Sequence, residues 1–281
     1  MKTTLSGKKV SRMGQGTWMM AENSNLYKHE IESLRTGIES GINLIDTAEM
    51  YADGNAEILV GDSIKGYERE DLYLVSKVYP FNAGRDNIFK SCENSLKRLQ
   101  TDYLDLYLLH WRGSIPLLET IECMEELKSK GFIRNWGVSN FDLDDMKELL
   151  SIDNGKNCIT NQLLYHLGSR GIEFDLYPFM KSVNMKLMAY CPLAQAGYLR
   201  DEILNSNILR SIAISYNTSI YVIMLSFLLS KELVIPIPRT SKKKHLLENI
   251  KALDIELSDE ELALLDEEFP APKYKTTLDI V

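Results

Sequence analysis

The sequence predicts an α/β fold, a (β/α)8 TIM barrel with a short N-terminal β-hairpin, occupying residues 1–281 as a single domain. Three observations predict it. Eight short β-rich runs alternate with longer segments of helical period, most of those runs stop on polar side chains, and 281 residues at 44% hydrophobic composition suffice for one large core without a linker or composition shift.

Taken in order, residues 3–5 and 9–11 flank the turn Ser6-Gly7-Lys8 and read as a hairpin that closes the bottom of the barrel. Strands are expected at 13–16, 44–46, 73–77, 104–110, 133–139, 159–162, 186–190 and 234–236. Between them run helical stripes: Ile31, Leu34 and Ile38; then Ile88, Cys92, Leu96 and Leu99; then Leu117, Ile121, Met124 and Leu127. Pro116 just inside a helix start, and Gly41 and Gly131 just past helix ends, punctuate these segments. After the eighth strand, helical patterns at 246–253 and 260–265 precede a short tail with Pro270 and Pro272. An open doubly wound sheet would show the same alternation, but it announces its nucleotide site with GxGxxG. Here Gly14-Gln15-Gly16 is followed by Met19 where the third glycine should fall.

Composition narrows the function. A formal charge of −8, from 32 Lys and Arg against 40 Asp and Glu, argues against nucleic acid or an anionic membrane as partner. Cys92, Cys123, Cys158 and Cys191 are scattered, with no CxxC pair or Cys/His cluster, so no metal is expected. Residues 1–10 lack a secretory apolar core and the run 220–229 is too short to span a bilayer; a cytoplasmic protein is expected.

In such barrels the site is built where strands end. The second strand ends at Asp46, with Tyr51 beyond it; the third ends at Lys77, the fourth at His110, the fifth at Ser139-Asn140, the sixth at Asn161-Gln162 and the seventh at Tyr190. Singly, each has a plain structural reading as a turn cap, a solvated cation or packing. Jointly, an acid, a cation, a phenol and an imidazole suit carbonyl reduction, whose alkoxide product needs a proton. Tyr51 would donate it, Lys77 would bring the phenol's pKa down, Asp46 would hold Lys77 charged, and His110 would orient the carbonyl by a hydrogen bond. Two other classes stay open on these residues: a Schiff-base aldolase acting through Lys77, and a cofactor-binding regulatory barrel subunit.

The blocks 43–51 (NLIDTAEMY), 75–77 (VSK), 104–110, 137–141 (GVSNF) and 190–193 (YCPL) resemble the aldo-keto reductases along nearly the whole chain. The resemblance implies a nicotinamide-dependent reductase of small aldehydes or ketones, with Asp46, Tyr51, Lys77 and His110 as catalytic tetrad and a monomeric state. The segments 109–113, 165–171 and 270–273 resemble a bacterial branch of aldehyde and methylglyoxal reductases.

By the same resemblance Ser139, Asn140 and Gln162 would hold the nicotinamide carboxamide and Tyr190 would stack on its ring, with Cys191 and Leu193 beside it. Cys191, in place of a commoner serine, reads as an inert small residue. After the eighth strand, Arg239, Thr240, Ser241, Lys242 and His245 precede a helix, a place where orphan N–H groups and cations hold a phosphate; Glu248 and Asn249 would meet the adenine. Arg239 stands where the family usually has lysine and His245 where it has arginine, so NADPH is favoured over NADH without NADH being excluded. Trp18, Met50, Tyr79 and Trp111 would wall a substrate pocket left open and tolerant by the short tail.

Overall fold

Strands β1 (Lys2–Leu5) and β2 (Lys8–Ser11) pair antiparallel as the expected hairpin, in a computed structural model that describes residues 2–195 and 199–281. Eight parallel strands follow: β3 (Gln15–Gly16), β4 (Leu44–Asp46), β5 (Tyr73–Val78), β6 (Leu104–Leu109), β7 (Ile133–Ser139), β8 (Cys158–Leu164), β9 (Lys186–Tyr190) and β10 (Val234–Pro236). Each pairs with its neighbour in sequence. The cylinder is closed by two backbone bonds, Gly14 N–H to the Pro236 carbonyl (2.9 Å) and Gly16 N–H to the Pro238 carbonyl (3.0 Å). Glycine is required at this seam: a Cβ on Gly16 would lie 2.7 Å from the Ile237 carbonyl oxygen. The Gly14-Gln15-Gly16 run is therefore a close-packing device.

The helices of the outer layer are α1 (Tyr27–Glu39), α2 (Asn55–Ser63), α3 (Ile88–Leu99), α4 (Leu117–Ser129), α5 (Leu143–Ser151), α6 (Leu176–Ser182), α7 (Arg200–Asn205), α8 (Asn207–Ser215), α9 (Ile220–Ser230), α10 (Lys243–Ile250) and α11 (Asp259–Glu268). Gly41 and Gly131 take φ of 90° and 80°, the left-handed turn that ends α1 and α4. Pro116 caps α4 from just outside the helix instead of standing inside its first turn. The first barrel strand is shorter than the expected 13–16, because Met13 turns into a separate cluster with Ile42, Val222 and Leu225. The apolar run 220–229 is α9, buried almost throughout, and among the described residues no single helix is long and apolar enough to cross a membrane.

Strand period two positions the site. Leu44, Val75, Leu108, Met188 and Ile237 belong to the cluster that fills the barrel, together with Leu5 and Val10 of the hairpin. Two residues further along each chain, on the same face, come Asp46, Lys77, His110, Tyr190 and Arg239. The apolar barrel core and the polar mouth are thus consecutive layers of one register. At the other end, Lys8 of the hairpin and Arg69 both reach the buried Asp105 at 2.8 Å, and Asp105 also accepts the Leu74 N–H; this is why an acid interrupts the β6 run.

Candidate active site

Lys77 is the hub. Its side chain is fully buried, and Nζ donates to Asp46 Oδ1 (2.7 Å), to the Thr47 carbonyl (2.8 Å) and to Tyr51 Oη (3.1 Å). Three acceptors match the three protons of an ammonium. Asp46 Oδ2 accepts from Gln162 Nε2 (2.8 Å), so both carboxylate oxygens face donors. Burial raises the Asp46 pKa and lowers that of Lys77, each toward neutrality, with each opposing the other's shift. The donor and acceptor count nevertheless describes an ion pair, the form in which every group is satisfied.

The expected depression of the Tyr51 pKa is not found. Burial, with the Asp46 charge adding to it, holds the phenol well above its ordinary value of 10.0. Desolvation of the hydroxyl in the barrel mouth outweighs a nearby cation whose own charge is balanced by Asp46. Because Lys77 can only donate, the Tyr51 oxygen accepts from it, and the phenol's own proton is available in another direction. Tyr51 opens a 3₁₀ turn in which Ala52 and Asp53 take φ of 48° and 53°, an uncommon conformation that swings the chain away behind the ring.

His110 meets Tyr51 edge to face, with ring centroids 5.8 Å apart. Burial first, and the Lys77 charge second, push its pKa down to about 2, so the imidazole is neutral. Its Nδ1 is buried with no hydrogen-bond partner among the described residues.

These groups open into a cavity of about 510 Å³ lined by Gly16, Trp18, Asp46, Met50, Tyr51, His110, Trp111, Tyr190 and Cys191, together with Ser139, Asn140, Gln162 and Arg239. Tyr190 Oη donates to Asn140 Oδ1 (2.8 Å), and Asn140 Nδ2 donates to the His110 carbonyl (3.2 Å), which fixes the Tyr190 ring as a wall. Ser139 Oγ donates to the Gln162 carbonyl (2.9 Å). Burial raises the Cys191 thiol to about 11, so it stays protonated, in keeping with an inert wall residue.

Several expected residues lie elsewhere. Tyr79 does not line the cavity: its N–H is tied to Glu49 (2.7 Å), its ring stacks on Phe81 (4.6 Å), and it meets Trp111 edge-on at 5.8 Å, supporting that wall from behind. Leu193 turns into the core, and its N–H meets Gln195 Oε1 (3.2 Å). Arg239 lines the cavity but is engaged, donating to the Met19 carbonyl (2.8 Å) and facing Glu30 at 3.5 Å. Thr240 Oγ1 accepts the Lys242 N–H (3.1 Å) just ahead of α10; Ser241 follows Thr240, and Lys242 and His245 are exposed. Glu248 is bound to Thr218 (3.1 Å) and Lys251 (2.8 Å), and Asn249 is buried.

The sequence reading missed the tail. Short as it is, the tail reaches the mouth: Ile280 and Val281 line the cavity. The strap is pinned by the ion pair of Lys275 with Asp144 (2.9 Å), by a hydrogen bond from Ser169 to Asp279, and by Thr276 lying where a Cβ on Gly171 would be. The segment 165–171, notable in the sequence, is its landing platform: Arg170 donates to the Phe269 carbonyl and pairs with Asp266, both at 2.7 Å. No local pattern signals a contact between residues 110 positions apart. Among the described residues no group of acidic, His and Cys side chains could hold a metal ion.

The model of the Aldo/keto reductase family matches residues 12–268. The chain is 52% identical over 269 residues to methylglyoxal reductase YeaE of Escherichia coli, covering 96% of this chain and 94% of that one. It is 33% identical to glyoxal reductase of Bacillus subtilis, covering 93% and 90%. It superposes with a TM-score of 0.96, at 48% identity and full coverage of both chains, on an aldo-keto reductase of Klebsiella pneumoniae solved in complex with NADPH.

Proposed function

Because the chain belongs to the aldo/keto reductase family, an oxidoreductase using NADPH to reduce carbonyl compounds, we propose that its preferred substrates are small 2-oxoaldehydes such as methylglyoxal and that Tyr51 is its proton donor. The single observation that carries the second half is the Lys77 to Tyr51 hydrogen bond, which leaves a protonated phenol facing the cavity beside a neutral imidazole.

The residues present fit the cofactor. The cavity has a fixed aromatic wall in Tyr190, amide and hydroxyl groups at Ser139, Asn140 and Gln162, and a cation at Arg239, after which the chain leads into the N-terminus of α10, which has no side-chain cap. When bound, NADPH supplies the hydride. Tyr190 would bear on the nicotinamide ring and Asn140, Ser139 and Gln162 on its carboxamide, while Arg239, Thr240, Ser241, Lys242 and His245 would take the phosphate end, with Glu248 and Asn249 nearest the adenine.

His110 then offers a ring N–H to the substrate oxygen and Tyr51 its hydroxyl. As negative charge grows on that oxygen, the Tyr51 proton moves to it, and the Lys77 ammonium strengthens its bond to the forming phenolate. The help is largest in the transition state, which is where it raises rate. Trp18, Met50 and Trp111, with Ile280 and Val281, would border a small carbonyl substrate. A Schiff-base role for Lys77 is disfavoured, since Nζ is wholly buried behind Tyr51 and all its protons are engaged. We read residues 1–281 as one barrel domain, monomeric and cytoplasmic, without nucleic-acid or membrane partners.

The test is a screen of NADPH and NADH oxidation across methylglyoxal, glyoxal, aromatic aldehydes and sugars. The highest kcat/KM is expected for the 2-oxoaldehydes with NADPH. A preference for sugars or aromatic aldehydes would reject the substrate assignment.

A further inference from the structure

We propose that Glu30 and Glu32 of α1 limit the preference for NADPH over NADH by holding two of the cations that would otherwise be free to meet the 2′-phosphate. The inference rests on reading the loop at 239–245 as the phosphate grip. Helix α1 is the seat of that loop: Ser33 Oγ donates to the Thr240 carbonyl (2.9 Å), Glu30 faces Arg239 Nη2 at 3.5 Å, and Glu32 faces Lys243 Nζ at 3.4 Å. Buried Glu30 and Ser33 and exposed Glu32 thus hold Arg239 and Thr240 of the loop and Lys243 at the start of α10.

Glu30 is the more firmly held of the two carboxylates. It is only 1% exposed, and its other oxygen accepts the Ala21 N–H at 2.9 Å, which fixes it under the loop that carries Trp18 and Met19. Arg239 is shared between this carboxylate and the Met19 carbonyl, and its Nε is buried with no partner among the described residues. The guanidinium therefore has donor capacity that its present neighbours do not fill. A dianionic phosphate arriving there meets a cation already half neutralised, and must also approach a fixed negative charge. Lys242 and Lys244, by contrast, form no ion pair among the described residues. Glu32 lies at the surface, where solvent weakens its competition for Lys243.

The arrangement makes discrimination tunable by a charge outside the grip itself. Glu30→Gln keeps an oxygen for the Ala21 N–H and removes the charge, its amide N–H₂ then facing Arg239 in place of a carboxylate oxygen, which frees the guanidinium. By quenching of tryptophan fluorescence, Glu30→Gln should bind NADPH ~5-fold more tightly than the parent, with NADH changed less than about 2-fold. In the same titration 2′,5′-ADP should gain as NADPH does and 5′-AMP should not. Glu32→Gln, at an exposed position that folding tolerates, should give a smaller gain of ~2-fold for NADPH alone. Equal tightening of NADH and 5′-AMP, unchanged NADPH binding in both variants, or weaker NADPH binding would each overturn the proposal. A parent protein that binds neither dinucleotide would instead refute the reading of the loop as a phosphate grip.

Discussion

Lys77 and Tyr51 stand 3.1 Å apart in a geometry that allows the proton to lie on one side only, since the ammonium donates and the phenol oxygen must accept. Asp46, which also borders the cavity, gives one carboxylate oxygen to that cation and the other to Gln162. Replacing Tyr51 by Phe deletes the proton and leaves the ion pair intact. Steady-state assays should show kcat lowered about 10²- to 10⁴-fold, while fluorescence titration finds NADPH binding unchanged. Full turnover in this variant would remove Tyr51 from the mechanism.

Asp46→Asn tests the ion pair. The amide still accepts from one donor but its own N–H₂ faces the donors of Lys77 or Gln162, and a buried ammonium loses its counter-charge. A loss of about 3 kcal/mol is expected in denaturant unfolding, together with loss of activity. An unchanged midpoint would mean that Lys77 is neutral in the folded chain.

The pKa of His110, 6.5 when unperturbed and about 2 in the fold, has a pH signature. The folded state refuses a proton that the unfolded chain accepts, so the stability this group contributes is complete above pH 6.5 and is lost as pH falls from there toward 2. Between pH 6.5 and pH 4.5 the loss is roughly 2 kcal/mol. His110→Gln should flatten the unfolding free energy over that interval by about this amount relative to the parent, and parallel curves would reject the depressed value.

The strap offers a kinetic test. Gly171→Ala places a methyl group against Thr276 and should lift residues 276–281 from the platform. The KM for methylglyoxal is expected to rise several-fold with NADPH affinity unaltered, because Ile280 and Val281 line the cavity on the substrate side in our reading. Coupled loss of cofactor binding would show that the strap supports the nicotinamide pocket instead.

Much of this was readable from the chain. β4, β7, β9 and β10 match the expected boundaries: β4, β9 and β10 are short, mainly apolar runs, and β7 is mixed in composition but follows the turn at Gly131. The gathering of Asp46, Lys77 and His110 was legible because strand alternation places them two residues beyond Leu44, Val75 and Leu108 on the same face. What escaped depends on contacts across the fold. Nothing near Tyr51 in sequence reports how completely it is desolvated, and burial reverses the expected direction of its shift. Tyr79 leaves the cavity because Phe81, two residues on, gives its ring a stacking partner. Arg239 and Glu30 are 209 positions apart, and only the closed cylinder makes them neighbours.

The junction of β3 with β10 differs from every other joint in the sheet. All the remaining pairings link consecutive strands, so they can zip progressively, whereas this one must recruit opposite ends of the chain across a large loop-closure penalty and holds by few bonds once formed. It is where the cylinder would split first under stress. Arg239 bonded to the Met19 carbonyl, and Ser33 to the Thr240 carbonyl, are stitches across that weakest line. A dinucleotide lying along it would act as a clasp, so saturation with NADPH should slow unfolding at the very place where the empty barrel comes apart.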